Sequence, residues 1–334
     1  MAQRAPIDWN EQEVSALLAR VNALRDSMAQ VIIGQDDAID ALIVCLLAGG
    51  HALVEGVPGL GKTLLVKTLA QATAMQFRRV HFTPDLMPSD ILGTEILDED
   101  ASSHQRRFRF QPGPVFTQVL LADEINRAPP KTQSALLEAM QERAVTLAGA
   151  THRLPAPFFV LATQNPIEQS GTYPLPEAQL DRFLLRIDIA YPSEDDEIAM
   201  VAQTTRGGLP DAAAVLDAQT LLRLQQLVRD IEISDNMLRY AARLVRATRP
   251  DSSVVDSVVR HVAWGAGPRA LQALVLAAKA RALMRERLAV TRDDVAAMLH
   301  AVLGHRVLRN FEAEADGVPV ADILDALIDA ITPG

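Results

Sequence analysis

Three observations predict an α/β core on a parallel five-stranded sheet, followed by an all-helical domain. Five short strand-like runs, at 51–55, 77–82, 116–122, 158–163 and 184–189, alternate with stretches of helical spacing. The first run leads directly into Gly56-Val57-Pro58-Gly59-Leu60-Gly61-Lys62-Thr63, and Leu64 to Ala70 then continues with helical spacing. Tyr191-Pro192-Ser193-Glu194 breaks the alternation, and beyond it every periodic segment is helical: about 194–205, 217–229, 235–248, 268–287, 291–303 and 321–331. The core is therefore expected over 1–192 and the helical domain over 193–334.

At 334 residues the chain is long enough for two such units. It is 49% hydrophobic and 22% charged, an ordinary balance for a globular protein. A net charge of −10 argues against a general duplex-binding surface. The single cysteine, Cys45, lies in the apolar stretch 38–47, which excludes an internal disulfide and suits a buried position. There is no basic-then-apolar leader, and the longest apolar run, 41–50, is about half the length needed to cross a bilayer. The expected location is the cytoplasm, without a membrane span.

The elements follow in order. Asn10 with Glu13 resembles a capping box, and Val14, Leu17, Leu18, Val21 and Leu24 mark one face of a first helix. A second helix is expected at about 36–48. Between them, the turn Val31-Ile32-Ile33-Gly34-Gln35 is either a platform for a base or a plain interhelical turn. The glycines at 56–61 let successive backbone N–H groups turn inward around a phosphate, and the helix that follows adds its positive end. In that strand–loop–helix context the loop marks a nucleoside triphosphate site. Its contacts are expected from Gly56, Val57, Pro58, Gly59, Leu60, Gly61, Lys62, Thr63 and Leu64, with Ile33 and Gly34 toward the base. Lys62 would reach the β- and γ-phosphates, and the Thr63 hydroxyl would hold Mg²⁺.

Val119-Leu120-Leu121-Ala122-Asp123-Glu124 reads as a buried strand that delivers two carboxylates to the sheet's C-terminal edge, where ligands of open α/β sheets bind. Asp123 would support the Mg²⁺ and Glu124 would polarise an attacking water. The run 158–163 ends in Gln164-Asn165-Pro166, so Asn165 could orient that water. Arg182 precedes the last sheet strand, where the core should meet a neighbouring subunit, and Arg186 is a weaker alternative. Arg269 lies at the start of a long helix after Gly267-Pro268. Its cation is disfavoured there by the helix dipole unless it faces an anion.

These motifs, in this order over residues 30 to about 305, resemble the AAA+ ATPases. Phe82-Thr83-Pro84-Asp85-Leu86-Met87-Pro88-Ser89-Asp90-Ile91-Leu92-Gly93 is similar to the MoxR branch. So are Phe110-Gln111-Pro112-Gly113-Pro114-Val115-Phe116, Asp123-Glu124-Ile125-Asn126-Arg127-Ala128, Ala162-Thr163-Gln164-Asn165-Pro166 and Leu175-Pro176-Glu177-Ala178. The resemblance implies that Lys62 and Thr63 act as Walker A, Asp123 and Glu124 as Walker B and Asn165 as sensor 1. It makes Arg182 the finger into a neighbour's site and Arg269 sensor 2. It further implies an insert at about 84–113 and a hairpin at about 144–154. For the hairpin the residues agree: 145–147, the turn Gly149-Ala150, then 151–153.

The activity so implied is ATP hydrolysis with Mg²⁺ in a homo-oligomeric ring, a hexamer. ATP would lie between core and lid, with Arg269 and Asn165 sensing its γ-phosphate. The resemblance also implies chaperone-like remodelling or metal insertion on a partner protein with a von Willebrand factor A domain. The competing expectation is a nucleic-acid-dependent motor of the same insert-bearing clade, with His104-Gln105-Arg106-Arg107-Phe108-Arg109 touching phosphates. The little positive charge on the hairpin, His152 and Arg153, speaks against it.

Overall fold

Helix α1 (Glu11–Ala29) begins where the Asn10 side chain accepts the backbone N–H of Gln12, and it buries Val14, Leu17, Val21 and Leu24 along one face. The structure, a computed structural model, describes residues 9–99, 106–165, 171–205 and 210–332. His104, Gln105 and Pro166 lie outside them.

Helix α2 (Asp36–Ala48) opens with acidic residues and is apolar all round from Leu42 to Ala48, where every residue is buried, Cys45 included. Its C-cap, Gly49, takes the left-handed φ of 71° that turns the chain back toward the sheet. Strand β1 (Ala52–Glu55) then feeds the glycine loop and α3 (Lys62–Ala72), followed by β2 (Phe77–His81) and α4 (Pro88–Leu92). The chain continues through β3 (Gly93–Glu99), β4 (Arg106–Pro112), β5 (Val119–Asp123), α5 (Pro130–Glu142), β6 (Ala144–Leu147) and β7 (Ala150–Arg153). Strand β8 (Phe159–Gln164), α6 (Glu177–Leu180) and β9 (Leu185–Asp188) complete this half.

The main sheet runs β2-β5-β8-β1-β9, with every pairing parallel. Its three central strands, β5, β8 and β1, are apolar on both sides. Leu53, Leu120, Ala122, Val160 and Ala162 enter one buried cluster, whereas Val54, Val119, Leu121, Phe159 and Leu161 enter the other. Burial on two faces explains why the sequence shows continuous apolar runs instead of alternation. The order puts β8 between β1, which carries the glycine loop, and β5, which carries the acids.

Two antiparallel hairpins project from this sheet, β3 with β4 and β6 with β7. The second turns through Ala148 and Gly149, both with positive φ, one residue earlier than the sequence suggests. The hairpins meet where the Phe110 ring stacks on His152 at 4.0 Å.

The remainder comprises α7 (Glu194–Thr205), α8 (Ala218–Asp230), α9 (Asp235–Ala247), α10 (Asp256–His261), β10 (Val262–Trp264) and α11 (Pro268–Met284). After these come α12 (Arg292–Ala297), α13 (Leu299–Leu303), β11 (Leu308–Arg309), α14 (Phe311–Ala315) and α15 (Val320–Ala330). It is helical apart from a short ribbon of β10 with β11. The expected helix at 291–303 is two, α12 and α13, and α10 and α14 were not anticipated. Elements of two to six residues are too short to show a period in the sequence.

Asp294, fully buried, anchors this half. It accepts from both Arg287 Nη atoms at 2.7 Å, from Arg281 at 2.8 Å and from the Thr291 N–H at 2.9 Å. Burial alone would raise its pKa, but the hydrogen bonds from Arg287, Thr291 and Arg281 outweigh burial and hold it below the ordinary carboxylate value. Its contribution is therefore present above the unfolded value, about 4, and lost as pH falls through the lower folded one. Asp294→Ala is expected to destabilise by about 3–5 kcal/mol in denaturant unfolding at pH 7, because Arg287 loses its carboxylate partner and Arg281 keeps only Asp293. The deficit should shrink below about pH 4; a deficit independent of pH would mean that the carboxylate charge is not what matters.

Candidate nucleotide site

Gly59 and Gly61 hold φ of 89° and 76°, and nothing lies within 4 Å of where a Cβ would project from either. Backbone conformation, not crowding, is what requires glycine here. Gly56 is set against the end of β9, where an added Cβ would come 3.0 Å from the Ile189 carbonyl. The Lys62 ammonium folds back onto the Gly56 carbonyl and lies 3.4 Å from that of Val57. Its pKa is lowered by burial, which the nearby Asp123 and Glu124 only partly offset. Thr63 occupies the first turn of α3.

Across the sheet from this loop, β5 ends in Asp123, 8% exposed. Glu124 follows in the left-handed region, φ 57° and ψ 50°, an uncommon conformation for a residue with a side chain. Thr163 on β8 fixes this turn. Its hydroxyl donates to Asp123 Oδ1 at 2.7 Å and accepts the Glu124 N–H at 2.8 Å. Nothing in the sequence singled out Thr163, since a threonine in a strand has many ordinary uses. Arg79 pairs with Asp123, Arg127 Nε lies 3.0 Å from Glu124 Oε2, and His81 stands between, 3.7 Å from Asp123 and 3.6 Å from Glu124. Burial pushes the Asp123 pKa up, but the Thr163 and Arg79 hydrogen bonds prevail and keep it low. Asn165 directly follows β8 and is 5% exposed, beside the same edge.

Among the described residues no group of three or more His, Cys, Asp or Glu could cage a metal. One buried carboxylate with a nearby threonine hydroxyl suits Mg²⁺ instead, which keeps its waters and takes most other oxygens from phosphates. The donor set at Asp123 and Thr63 fits that ion.

The turn before α2 closes one side of the site. Ile33 lines a small apolar hollow with Ile32, Leu60, Leu64 and, from α7, Met200 and Thr204. Gln35 Nε2 donates to the Leu60 carbonyl at 2.9 Å and ties the turn to the glycine loop. Gly34 does not line this hollow. It holds φ 70° where a Cβ would lie 2.6 Å from the Asp196 side chain, so a larger residue would strain the turn and displace Asp196.

The two predicted arginines lie elsewhere. Strand β9 runs parallel to β1, with Leu185 beside Ala52, and the Leu184 N–H donates to the His51 carbonyl at 2.8 Å. Residues 181–184 are thus at the sheet's N-terminal edge, whereas the glycine loop leaves the C-terminal edge. The four residues of β1 put about 13 Å between those edges. Arg269 Nη1 lies 3.9 Å from Asp181, next to Arg182. Arg269 therefore stands near Asp181, at the sheet edge away from its own chain's glycine loop. Arg182 Nε is buried and has no hydrogen-bond partner among the described residues. Arg306, which the sequence did not flag, braces this corner by donating to Asp181 at 2.8 Å and to the Phe183 carbonyl at 2.6 Å. Arg186 contacts Asp188 at 3.0 Å, the Gly304 carbonyl at 3.3 Å and Glu55 at 3.8 Å, so it is already engaged within the chain.

Comparison with known proteins follows the same outline. A family profile described as the ATPase family associated with various cellular activities (AAA) matches residues 51–185, and one described as an AAA lid domain matches 257–327. Chaperone MoxR1 of Mycobacterium tuberculosis is 42% identical over 94% of this chain and 83% of its own length. Protein MoxR of Paracoccus denitrificans is 31% identical over 96% and 97%. A crystal structure of a protein from Cytophaga hutchinsonii, described as a candidate ATPase, superposes with a TM-score of 0.89 at 36% identity and covers 97% of this chain and 98% of that one. Among the described residues no helix is long and apolar enough to cross a membrane.

Proposed function

The chain belongs to the MoxR family of AAA+ ATPases, and from that premise we propose that it hydrolyses ATP with Mg²⁺ in a homo-oligomeric ring, a hexamer, to remodel a partner protein in the cytoplasm. The observation that carries this reading is the convergence at one sheet edge. The glycine loop, Lys62, the buried Asp123 and Glu124 with its left-handed backbone meet there, with Thr163 binding the last two together.

In this reading the base enters the hollow at Ile33, Leu60 and Met200, and the phosphates lie along the loop N–H groups. Lys62 leaves its loop carbonyls for the β- and γ-phosphates. Thr63 and Asp123 hold the Mg²⁺, which when bound neutralises charge on the phosphate oxygens. Glu124 takes the proton of the attacking water, and Asn165 orients that water. Arg182 and Arg269 act on a neighbouring subunit's γ-phosphate. Strand polarity supports this, because both stand at the edge away from their own loop. A ring is then a requirement for turnover.

The partner proposed is a protein with a von Willebrand factor A domain, acted on through the two linked hairpins for assembly or metal insertion. Lys62→Ala should weaken equilibrium binding of ATP by at least about tenfold, since a charge-assisted contact to phosphate is lost. Unchanged affinity would remove Lys62 from the site.

A further inference from the structure

Both oxygens of the Asp123 carboxylate accept hydrogen bonds from side chains of this chain. Oδ1 accepts the Thr163 hydroxyl at 2.7 Å. Oδ2 accepts the Arg79 guanidinium through Nη2 and through Nε at 3.1 Å. Arg79 comes from β2, an edge strand of the sheet. In the parallel register His81 is the residue beside Asp123 and Arg79 is beside Leu121, so Arg79 reaches the acid diagonally along one face. Its side chain is 48% exposed, against 11% for Asp123. The cation thus has a solvent route away from the site, whereas the carboxylate has none.

We propose that Arg79 is a positioning residue that occupies Oδ2 of Asp123 until Mg²⁺ and nucleotide displace it, and so sets the Mg²⁺ level at which the site loads. This rests on the nucleotide site assigned above. A buried carboxylate with no counterion is unfavourable, so an empty site needs a cation. An arginine held by two hydrogen bonds fixes the carboxylate's orientation as well as its charge. Because Arg79 is half exposed, its pairing is weak enough to be exchanged for a divalent ion. Asp123 keeps the Thr163 bond throughout, and its geometry does not have to be rebuilt when the exchange occurs.

The test is equilibrium binding of a fluorescent ATP analogue to the full chain, titrated with Mg²⁺, for wild type, Arg79→Gln and Arg79→Lys. Removing the competitor in Arg79→Gln should lower the Mg²⁺ midpoint by about threefold to tenfold. Arg79→Lys keeps the charge but not the two-point contact, and should shift it less in the same direction. Without Mg²⁺, Arg79→Gln should melt at a lower temperature than wild type, and Mg²⁺ with nucleotide should close most of that gap. A midpoint that is unchanged or higher in Arg79→Gln overturns the proposal. A melting deficit that persists equally with and without Mg²⁺ overturns it too, because that is the mark of a purely structural arginine. If Arg79→Gln does not fold, the sign of the Arg79→Lys shift decides alone. Failure of the underlying site would appear separately, as wild-type protein that binds no analogue at any Mg²⁺ concentration.

Discussion

Arg182→Ala is expected to bind ATP at near wild-type affinity and to lose turnover by about 10³-fold or more, the range seen for arginines that stabilise phosphoryl-transfer charge. Its place before β9, at the sheet edge opposite the glycine loop, sets it away from its own site. The decisive form of the experiment mixes subunits. In rings of Arg182→Ala with Lys62→Ala, some sites combine an intact loop from one subunit with an intact arginine from the next, and part of the activity should return. The same mixture with Arg269→Ala separates two geometries. Recovery is expected if Arg269 serves the neighbour, as its 3.9 Å approach to Asp181 suggests. Should Arg269→Ala with Lys62→Ala stay inactive while the Arg182→Ala mixture recovers, Arg269 works within its own chain after a rearrangement of the lid.

Glu124→Gln should bind ATP normally and hydrolyse it about 10²–10⁴-fold more slowly, the usual loss when a positioned base is removed. The amide is nearly isosteric, and the backbone N–H of residue 124 still has Thr163 to donate to, so the turn should persist. Turnover within a few fold of wild type would exclude Glu124 as the base. The same variant, held in its ATP state, is the reagent for finding the partner. Capture of a von Willebrand factor A domain protein in ATP, and its release in ADP, would support the remodelling reading. Capture that depends on nucleic acid would count against it.

Much of the molecule was legible from the chain alone, and the reasons are local. Central parallel strands buried on both faces must be apolar, so the runs of β1, β5 and β8 announced themselves; a helix as apolar as 42–48 has to be internal. The phosphate loop is a single contiguous string whose glycines answer to backbone torsion, and the acids at 123–124 are adjacent. Short elements such as α10, α14 and the β10–β11 ribbon were not legible, because a helix of one or two turns leaves no periodic trace.

What the sequence determined by itself was therefore the fold class, the nucleotide loop and the pair of carboxylates, each written in neighbouring residues. Tertiary structure alone decided which side of the sheet Arg269 occupies, that Thr163 joins Asp123 to Glu124, that Arg306 braces the corner before β9, and that Arg79 covers the Asp123 carboxylate. Each of these depends on strand order and polarity bringing together residues dozens of positions apart. A lone threonine or arginine in a strand carries no local signal of such a role, since the free energy that gives it one comes from a partner supplied by another segment.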